Sequence, residues 1–478
     1  MSTLTFPDGR RRLLFLQLTW IAIVLWCEAG VFIHSTSDCR WPEVNAVVTP
    51  EHVLIIADPQ ILDEHSYPGR NPWFMSLSQF IVDMNIRKAW RVARSRGPDA
   101  VVMLGDMMDN GRADMSHDEY RAYVARFMHI FSTRKRVPRF YLPGNHDVGL
   151  GGNDHASSLS RTRYKAFFGP TNQHTNIGNH TVILIDAPQL VEDDYQRAVD
   201  GEDGQYWMPK QYTQLLYTIG LSTNAGAKPK PLILFSHIPL SRPHDTDCGP
   251  LREKGTLRAG HGIGYENTLS ETNTRMLLRT FRPALIFSGD DHDYCEYTHK
   301  VPLDDDRPMT PTSVQEVTVK SISMAMGIKR PGFHLLSLAS PAAANAPTFA
   351  HRPCLLPDQL GIYLWTYLPL FVLTTLVIFA HSALVREGDP RAPSYERTGT
   401  MDAERGAQEE KSSFAFTNRW RATASGFVSQ GRERLPLWLT DSKPRHDMGF
   451  LRRFIGDFGT VAWPALLLYA VIVLVLFW

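Results

Sequence analysis

The chain has almost no net charge. Its 50 Lys and Arg nearly balance 49 Asp and Glu, leaving a formal +1, and that excludes a globally basic nucleic-acid binder. It also lacks the composition of a disordered chain, with hydrophobic residues at 43% and charged residues at 21%. Cysteine is sparse, 5 in 478 residues. No clear Ala-x-Ala cleavage site follows the first apolar run, and no KDEL-type tail is present. At about 150 residues per domain, the length allows roughly three domains.

Charge is absent above all from three long runs. Leu13 to Ile33 carries Glu28 as its only charge, Gly361 to Val385 is apolar and aromatic with His381 near its end, and Thr460 to Trp478 carries no charge. About 20 apolar residues cross the hydrocarbon core, whereas 10–14 suffice for a buried helix of a soluble protein, so all three read as transmembrane helices. The first exceeds the usual 7–15-residue apolar region of a cleaved signal peptide and reads as a retained signal anchor. Arg10, Arg11 and Arg12 keep residues 1–12 in the cytosol. The expected order is then helix 13–33, a lumenal domain 38–359, helix 361–385, a cytosolic loop 386–459 and helix 460–478. Arg386, Arg452 and Arg453 flank that loop as the positive-inside rule requires.

The cysteines fit this topology. Cys27 lies in the first run, and Cys39, Cys248, Cys295 and Cys354 lie in the lumenal segment, where oxidation favours pairing. Four cysteines allow three pairings. Bridging Cys39 to Cys354 would tie the two ends of the domain together beside the bilayer, and bridging Cys248 to Cys295 would stiffen two motif-bearing loops; the other pairings stay open. The only glycosylation sequon, at Asn179, is also in this segment.

The lumenal segment alternates short apolar runs with helical stretches. HVLIIADPQ (52–60), DAVVMLGDMMD (99–109), RFYLPGNHD (139–147), TVILIDAP (181–188), PLILFSHIP (231–239) and ALIFSGDDHD (284–293) read as strands buried on both faces. Residues 80–96 and 116–131 read as helices between them, and VQEVTVKSISMAMGI (314–328) and FHLLSLAS (333–340) read as strands without helices between them. The fold class is α/β, with two packed sheets flanked by helices. Ligands in such folds bind at the carboxyl ends of strands.

Those ends carry the chemistry. Asp58 and Gln60 follow the first strand, Asp106 and Asp109 the second, and Asn145, His146 and Asp147 the third. His237 follows the fifth, and Asp290 and His292 the sixth. Carboxylates, amide oxygens and imidazoles together suit Mn, Fe or Zn. One Asp shared between two ions about 3.5–4 Å apart would clamp a phosphoryl group for in-line displacement. Taken singly, Gly-Asp is an ordinary turn and a lone His is commonly structural. Their arrival in order, each after a β-like run, is what points to a site.

The ordered set resembles the calcineurin-like metallophosphoesterases, whose motifs run D-x-H, GD-x-x-D, GNH-D/E, a lone His and GH-x-H, over about residues 52–295. Gln60 stands where the family has His, and Asp290 stands where it has the first His of the final motif. Both still offer oxygen, and harder ligands favour Mn. With the apolar runs, ADPQ and SGDDHDYC, the chain is most similar to the fungal ethanolamine-phosphate phosphodiesterases that remodel GPI-anchor glycans in the early secretory pathway.

That resemblance implies a phosphodiesterase with two divalent ions, most simply Mn2+. Asp58, Gln60, Asp106 and His292 would hold one ion, and Asp106, Asn145, His237 and Asp290 the other. His146 would protonate the leaving sugar oxygen and Asp109 would orient its ring. The implied substrate is the GPI glycolipid or a GPI-anchored protein, with the bilayer as the other partner and no nucleic acid. The implied location is the endoplasmic reticulum membrane, with the Golgi as the alternative. The acidic residues Asp291, Asp293 and Glu296 beside Tyr294 and Tyr297 read either as a pocket for the ethanolamine ammonium or as a solvated loop. Two other functions fit the residues: a membrane phosphoesterase for phospholipid or phosphoprotein, and a non-catalytic trafficking scaffold. The retained Asp106 and His146 argue against the scaffold.

Overall fold

The computed structural model describes residues 9–44, 49–133, 136–150, 158–200, 230–262, 264–300, 313–340, 347–384 and 449–477. Most of the expected loop 386–459 lies outside them. In chain order, α1 (Gly9–Leu25) and α2 (Val31–Ser35) precede β1 (Glu51–Ile56), α3 (Pro72–Arg94), β2 (Ala100–Met103), α4 (His117–Ile130) and β3 (Arg139–Tyr141). Next come α5 (Asn145–Val148), α6 (Ser158–Phe168), β4 (Gln173–Ile177), β5 (His180–Leu184), α7 (Ala187–Asp200), β6 (Leu232–Phe235) and the hairpin β7 (His261–Gly262) and β8 (Tyr265–Glu266). Last are α8 (Glu271–Phe281), β9 (Leu285–Ser288), β10 (Cys295–Lys300), β11 (Ser313–Thr318), β12 (Gly332–Leu338), β13 (Phe349–Leu355), α9 (Gln359–Ile362), α10 (Leu368–Leu384) and α11 (Phe450–Phe477).

Two sheets form. One runs β13-β12-β1-β2-β3 and the other β10-β11-β9-β6-β5-β4. Strands β1, β2 and β3 run parallel, with β3 at one edge, as do β5, β6, β9 and β11, while β4, β10, β12 and β13 pair antiparallel at or near the edges. Side chains alternate across each strand, and the core sorts accordingly. Val53, Ile55, Val102 and Leu104 meet Ile233, Phe235, Leu285 and Phe287 between the sheets. Leu54, Ile56, Val101 and Met103 point the other way, onto Ile86 and Trp90 of α3 and Phe127 of α4. On the far side Ile183, Leu234 and Ile286 pack on Leu190 of α7 and Leu277 of α8. The fold is therefore an α/β two-sheet sandwich with helices on both outer faces. β4, β10 and β13 escaped the sequence reading because their polar, half-exposed edge-strand residues give no apolar run.

The helices start where the caps stand. Asn71 accepts from Trp73 N ahead of Pro72 at the head of α3, Ser116 accepts from Glu119 N at α4, and Ser270 accepts from Asn273 N at α8.

Arg10–Ser35, Gln359–Ala383 and Phe450–Leu476 are long and apolar enough to cross a membrane. The third helix begins ten residues before the expected Thr460, because Arg452, Arg453 and Asp457 mark where charge begins without ending a helix. Asp457 faces His381 at 3.9 Å.

The chain divides into two units, one of Met1–Trp20 with Leu370–Ala465 and the other of Ile21–Pro369 with Leu466–Trp478. In the first, Leu13, Ile378 and Val461 form a small apolar cluster, and Trp20 Nε1 donates to Thr374 Oγ1 at 3.1 Å. The second holds both sheets. There Glu28, the one charge of the first apolar run, is buried in a π-helical turn. It pairs with Lys88 Nζ of α3 at 2.7 Å and accepts from Tyr367 Oη at 2.8 Å. A buried carboxylate this well partnered satisfies the requirement that isolated buried charge violates.

Candidate metal centre

The loops after β1, β2, β3, β6 and β9 converge at one end of the sandwich. Asp58 (φ 46°), Gln60 (φ 38°), Asp106 (φ 53°), Asp290 (φ 64°) and His292 (φ 67°) all take left-handed backbone conformations. Among the described residues only Asp245 and Arg282 are other non-glycine examples. Each such residue costs about 1–3 kcal/mol and persists only where its surroundings hold it. Here main-chain bonds do so: Gln60 N donates to Asp106 O at 2.8 Å, Gly289 N to His237 O at 2.8 Å, and Ser321 N to His292 O at 2.9 Å. Ser321 Oγ also donates to Asp58 O at 2.7 Å.

The side chains meet in two groups that share Asp106. Asp58, Asp106 and His292 place one ligand atom each within 4.8 Å of one another, and so do Asp106, His237 and Asp290. His237 Nε2 lies 3.4 Å from Oδ1 of Asp106, 3.4 Å from Oδ1 of Asp290 and 3.1 Å from Oδ1 of Asn145. Gln60 Nε2 donates to Asp106 Oδ2 at 2.7 Å. All seven residues named as ligands from the sequence are thus in one cluster.

Two glycines make that closeness possible. A Cβ on Gly144 would stand 2.0 Å from Asp106 Oδ1, and one on Gly105, whose φ is +92°, would stand 2.5 Å from His237 Nδ1.

The electrostatics call for cations. Asp58 Oδ2 is buried and has no hydrogen-bond partner among the described residues, and burial raises the Asp58 carboxyl well above its usual range. Burial would lower His237, but Asp106 and Asp290 outweigh it and draw a proton onto the ring. A cation between those carboxylates would supply the same positive charge and leave the imidazole neutral as a ligand. Burial lowers His292 to about 4, so it is already neutral. An orphaned carboxylate oxygen, a neutral imidazole and a shared aspartate make a donor set that fits two divalent ions.

His146 stands second in α5, at the rim. Its main-chain N donates to Asp106 Oδ1 at 3.0 Å. Its Nδ1 bonds the carbonyl oxygen of Asp109, and the Asp109 carboxylate stands 3.8 Å away. The ring is therefore held by main chain, with the carboxylate close beside it. Asp147 points inward and caps the turn, accepting from Gly144 N at 3.0 Å and Met108 N at 3.3 Å.

Two supporting groups were not read from the sequence. Arg112 Nη1 donates to the carbonyls of Asn145 (3.2 Å) and Gly264 (3.1 Å), and Asn145 Nδ2 donates to the same Gly264 oxygen at 3.0 Å. Glu316 on β11 forms an ion pair with Arg242 Nη2 (2.9 Å), accepts from Ser288 Oγ (2.7 Å) and Leu240 N (3.1 Å), and bonds His299 Nε2 (2.6 Å). It thereby ties the loop after His237 to the strand before Asp290. The position of Arg112, three residues beyond Asp109, was the one available signal for it; a lone Glu in a strand gave none.

The acidic loop is neither solvated nor open to an ammonium at two of its three positions. Asp291 pairs with Arg252 Nη2 at 3.1 Å, and buried Asp293 pairs with Lys320 Nζ at 2.7 Å. Disulfides join Cys39 to Cys354 and Cys248 to Cys295, and Cys27 is free and buried. Asn179 stands half-buried in the turn between β4 and β5.

A two-sheet sandwich with this constellation at its strand ends is that of a phosphoesterase hydrolase. The chain belongs to the calcineurin-like phosphoesterases, whose family model matches residues 52–294. It is 32% identical over 367 residues to the cell division control protein 1 of Saccharomyces cerevisiae, covering 73% of this chain and 70% of that one. It is 26% identical over 408 residues to metallophosphoesterase 1 of Ailuropoda melanoleuca, covering 79% and 92%. To the metallophosphoesterase 1 homolog of Drosophila melanogaster it is 27% identical over 300 residues, covering 60% and 75%.

Proposed function

We propose that this metallophosphoesterase is a membrane-anchored phosphodiesterase that removes an ethanolamine-phosphate side branch from a mannose of GPI anchors, with its catalytic domain in the lumen of the endoplasmic reticulum. The observation that carries the chemistry is the pair of ligand groups sharing Asp106. The substrate assignment draws on the Gln60 and Asp290 replacements, which both lie in that cluster, and on three helices fit to hold the enzyme beside a lipid-linked glycan.

Asp58, Gln60, Asp106 and His292 would hold one ion and Asp106, Asn145, His237 and Asp290 the other, Mn2+ suiting a set this rich in oxygen. Bound there, two divalent cations would neutralise phosphate charge and make a water acidic enough to attack phosphorus near neutral pH.

The remaining work falls to the chain. Asp106 has Oδ1 toward His237 and Oδ2 toward Gln60, so this one carboxylate would serve both halves. His146, with Nδ1 engaged by Asp109, has Nε2 left to deliver a proton to the mannose oxygen as the P–O bond breaks. The Asp109 carboxylate, 3.8 Å from Nδ1, lies on the side of the ring away from that task.

Mass analysis of GPI glycans from cells lacking the protein tests the substrate. Anchors that retain one extra ethanolamine phosphate support the assignment; anchors identical to those of parent cells refute it.

A further inference from the structure

Helix α3 has two apolar faces. Met75, Val82, Ile86, Ala89 and Ala93 lie on the side packed into the sandwich. On the opposite side, at spacings of four, three, four and four, stand Trp73, Leu77, Phe80, Met84 and Lys88. The second half of this stripe is covered. Met84 is buried, Lys88 Nζ meets Glu28 at 2.7 Å and Gln359 at 3.1 Å, and its neighbour Arg87 donates Nε to the carbonyl of Leu476 at 2.6 Å. Glu28, Gln359 and Leu476 belong one each to the three apolar helices.

The first half of the same stripe, with Phe74 on the adjoining side of the helix, is exposed. Trp73 is 78% exposed and Phe74 63%, and Leu77 and Phe80 are exposed beside them. Four large apolar side chains in eight residues form a patch of the kind that marks an interaction site. From Lys88 to Trp73 the helix runs about 22 Å, at 1.5 Å per residue.

We propose that the first half of α3 lies in the lipid headgroup region of the membrane the chain spans, with Trp73, Phe74, Leu77 and Phe80 immersed. The occupant is lipid because the stripe continues, on one helix face, the surface that already packs against the three membrane-spanning helices. Trp and Phe over Leu is also the side-chain set of interfacial helices and aromatic belts. The loop that enters α3 carries Asp58 and Gln60, so immersion there holds the metal centre at a fixed tilt to the bilayer and presents it to phosphodiesters anchored in the same leaflet. The inference rests on the membrane helices and not on the GPI assignment.

The test uses the full chain in phosphatidylcholine vesicles, in a Cys27→Ser background, with an environment-sensitive fluorophore attached through Leu77→Cys. A second sample carries the label through Glu271→Cys, at the exposed start of α8 on the other outer face. Spin-labelled phosphatidylcholine should quench the first probe at least threefold more than the second, and aqueous iodide should show the reverse order. Iodide quenching both probes equally would place the stripe in water and overturn the proposal. Protection of the first probe from both quenchers would put a protein there, a second copy included, and overturn it equally. In parallel, Trp73→Ser with Phe74→Ser should raise KM for a vesicle-borne phosphodiester about tenfold while leaving bis(p-nitrophenyl) phosphate hydrolysis unchanged. Equal loss on both substrates would contradict the positioning role.

Discussion

Gln60 donates its side-chain amide to Oδ2 of Asp106 at 2.7 Å. The residue that replaces the family's histidine is thus in direct contact with the carboxylate common to both ligand groups. Removing it should weaken the centre without dismantling it. Gln60→Ala is expected to lower metal affinity 10–100-fold, as loss of a ligand-orienting partner does, with excess Mn2+ restoring most of the turnover. Gln60→His should keep activity and shift preference toward Zn2+, because imidazole is the softer donor. Metal titrations of the two variants check both; unchanged affinity in Gln60→Ala would place this residue outside the centre.

Gly144 is required by contact and not by φ. Any side chain there meets the Asp106 carboxylate at 2.0 Å and its main-chain N at 2.5 Å. Gly144→Ala should cost about 1–3 kcal/mol by overpacking and, by displacing Asp106, reduce turnover on the order of 10²-fold. Thermal unfolding and steady-state kinetics on one preparation separate the two effects. Wild-type turnover in Gly144→Ala would mean that the Asp106 position is not critical.

Glu316 gives the stability a pH dependence. Burial pushes its carboxyl up, but Arg242 and His299 and the Ser288 hydroxyl outweigh that and hold it at about 2. A carboxyl depressed in the folded state adds stability that is fully present above its unfolded pKa, near 4.5, and is lost as pH falls toward 2. The loss should reach about 3 kcal/mol across that window. Glu316→Gln should flatten the curve between those pH values. It should also cost about 3–5 kcal/mol at neutral pH, because Arg242 is left buried without its partner. Chemical denaturation at stepped pH reads both, and an unaltered acid limb in the variant would remove Glu316 from the account.

Topology and redox state are tested together. If the sandwich is lumenal, endoglycosidase should increase the electrophoretic mobility of the protein, and Asn179→Gln should abolish the shift. Non-reducing peptide mapping should recover the Cys39–Cys354 and Cys248–Cys295 linkages. A protease that digests the sandwich in sealed microsomes, or free thiols at all four positions, would place it in the cytosol.

The site was legible because each ligand motif closes an apolar run, and parallel strands deliver such closing residues to one end of a sheet. Asp58, Asp106, Asn145, His237 and Asp290 were found in this way. The groups that hold them were not, since the partners of Glu316 are up to 76 residues away in sequence and only the pairing of β11 with β9 brings it beside Ser288. The roles of Asp291 and Asp293 were hidden for the same reason, because Arg252 and Lys320 reach them across loops. For α3, the sequence reading began the helix at residue 80 and missed Trp73 and Phe74. A bilayer-facing stripe and a core-facing stripe together blur the single periodicity on which such a reading depends.

Asp106 as the residue common to two metal ions is the centre of this account, and metal content per chain tests it most directly. Purified full-length protein loaded with Mn2+ and desalted should carry two ions. His146→Ala should retain both while hydrolysis of a sugar phosphodiester falls about 10²–10⁴-fold, with a smaller fall on a nitrophenyl ester that needs no proton. Asp106→Asn should lose metal and activity together, on both substrates. Two ions still bound to Asp106→Asn, or ions lost from His146→Ala, would contradict the assignment.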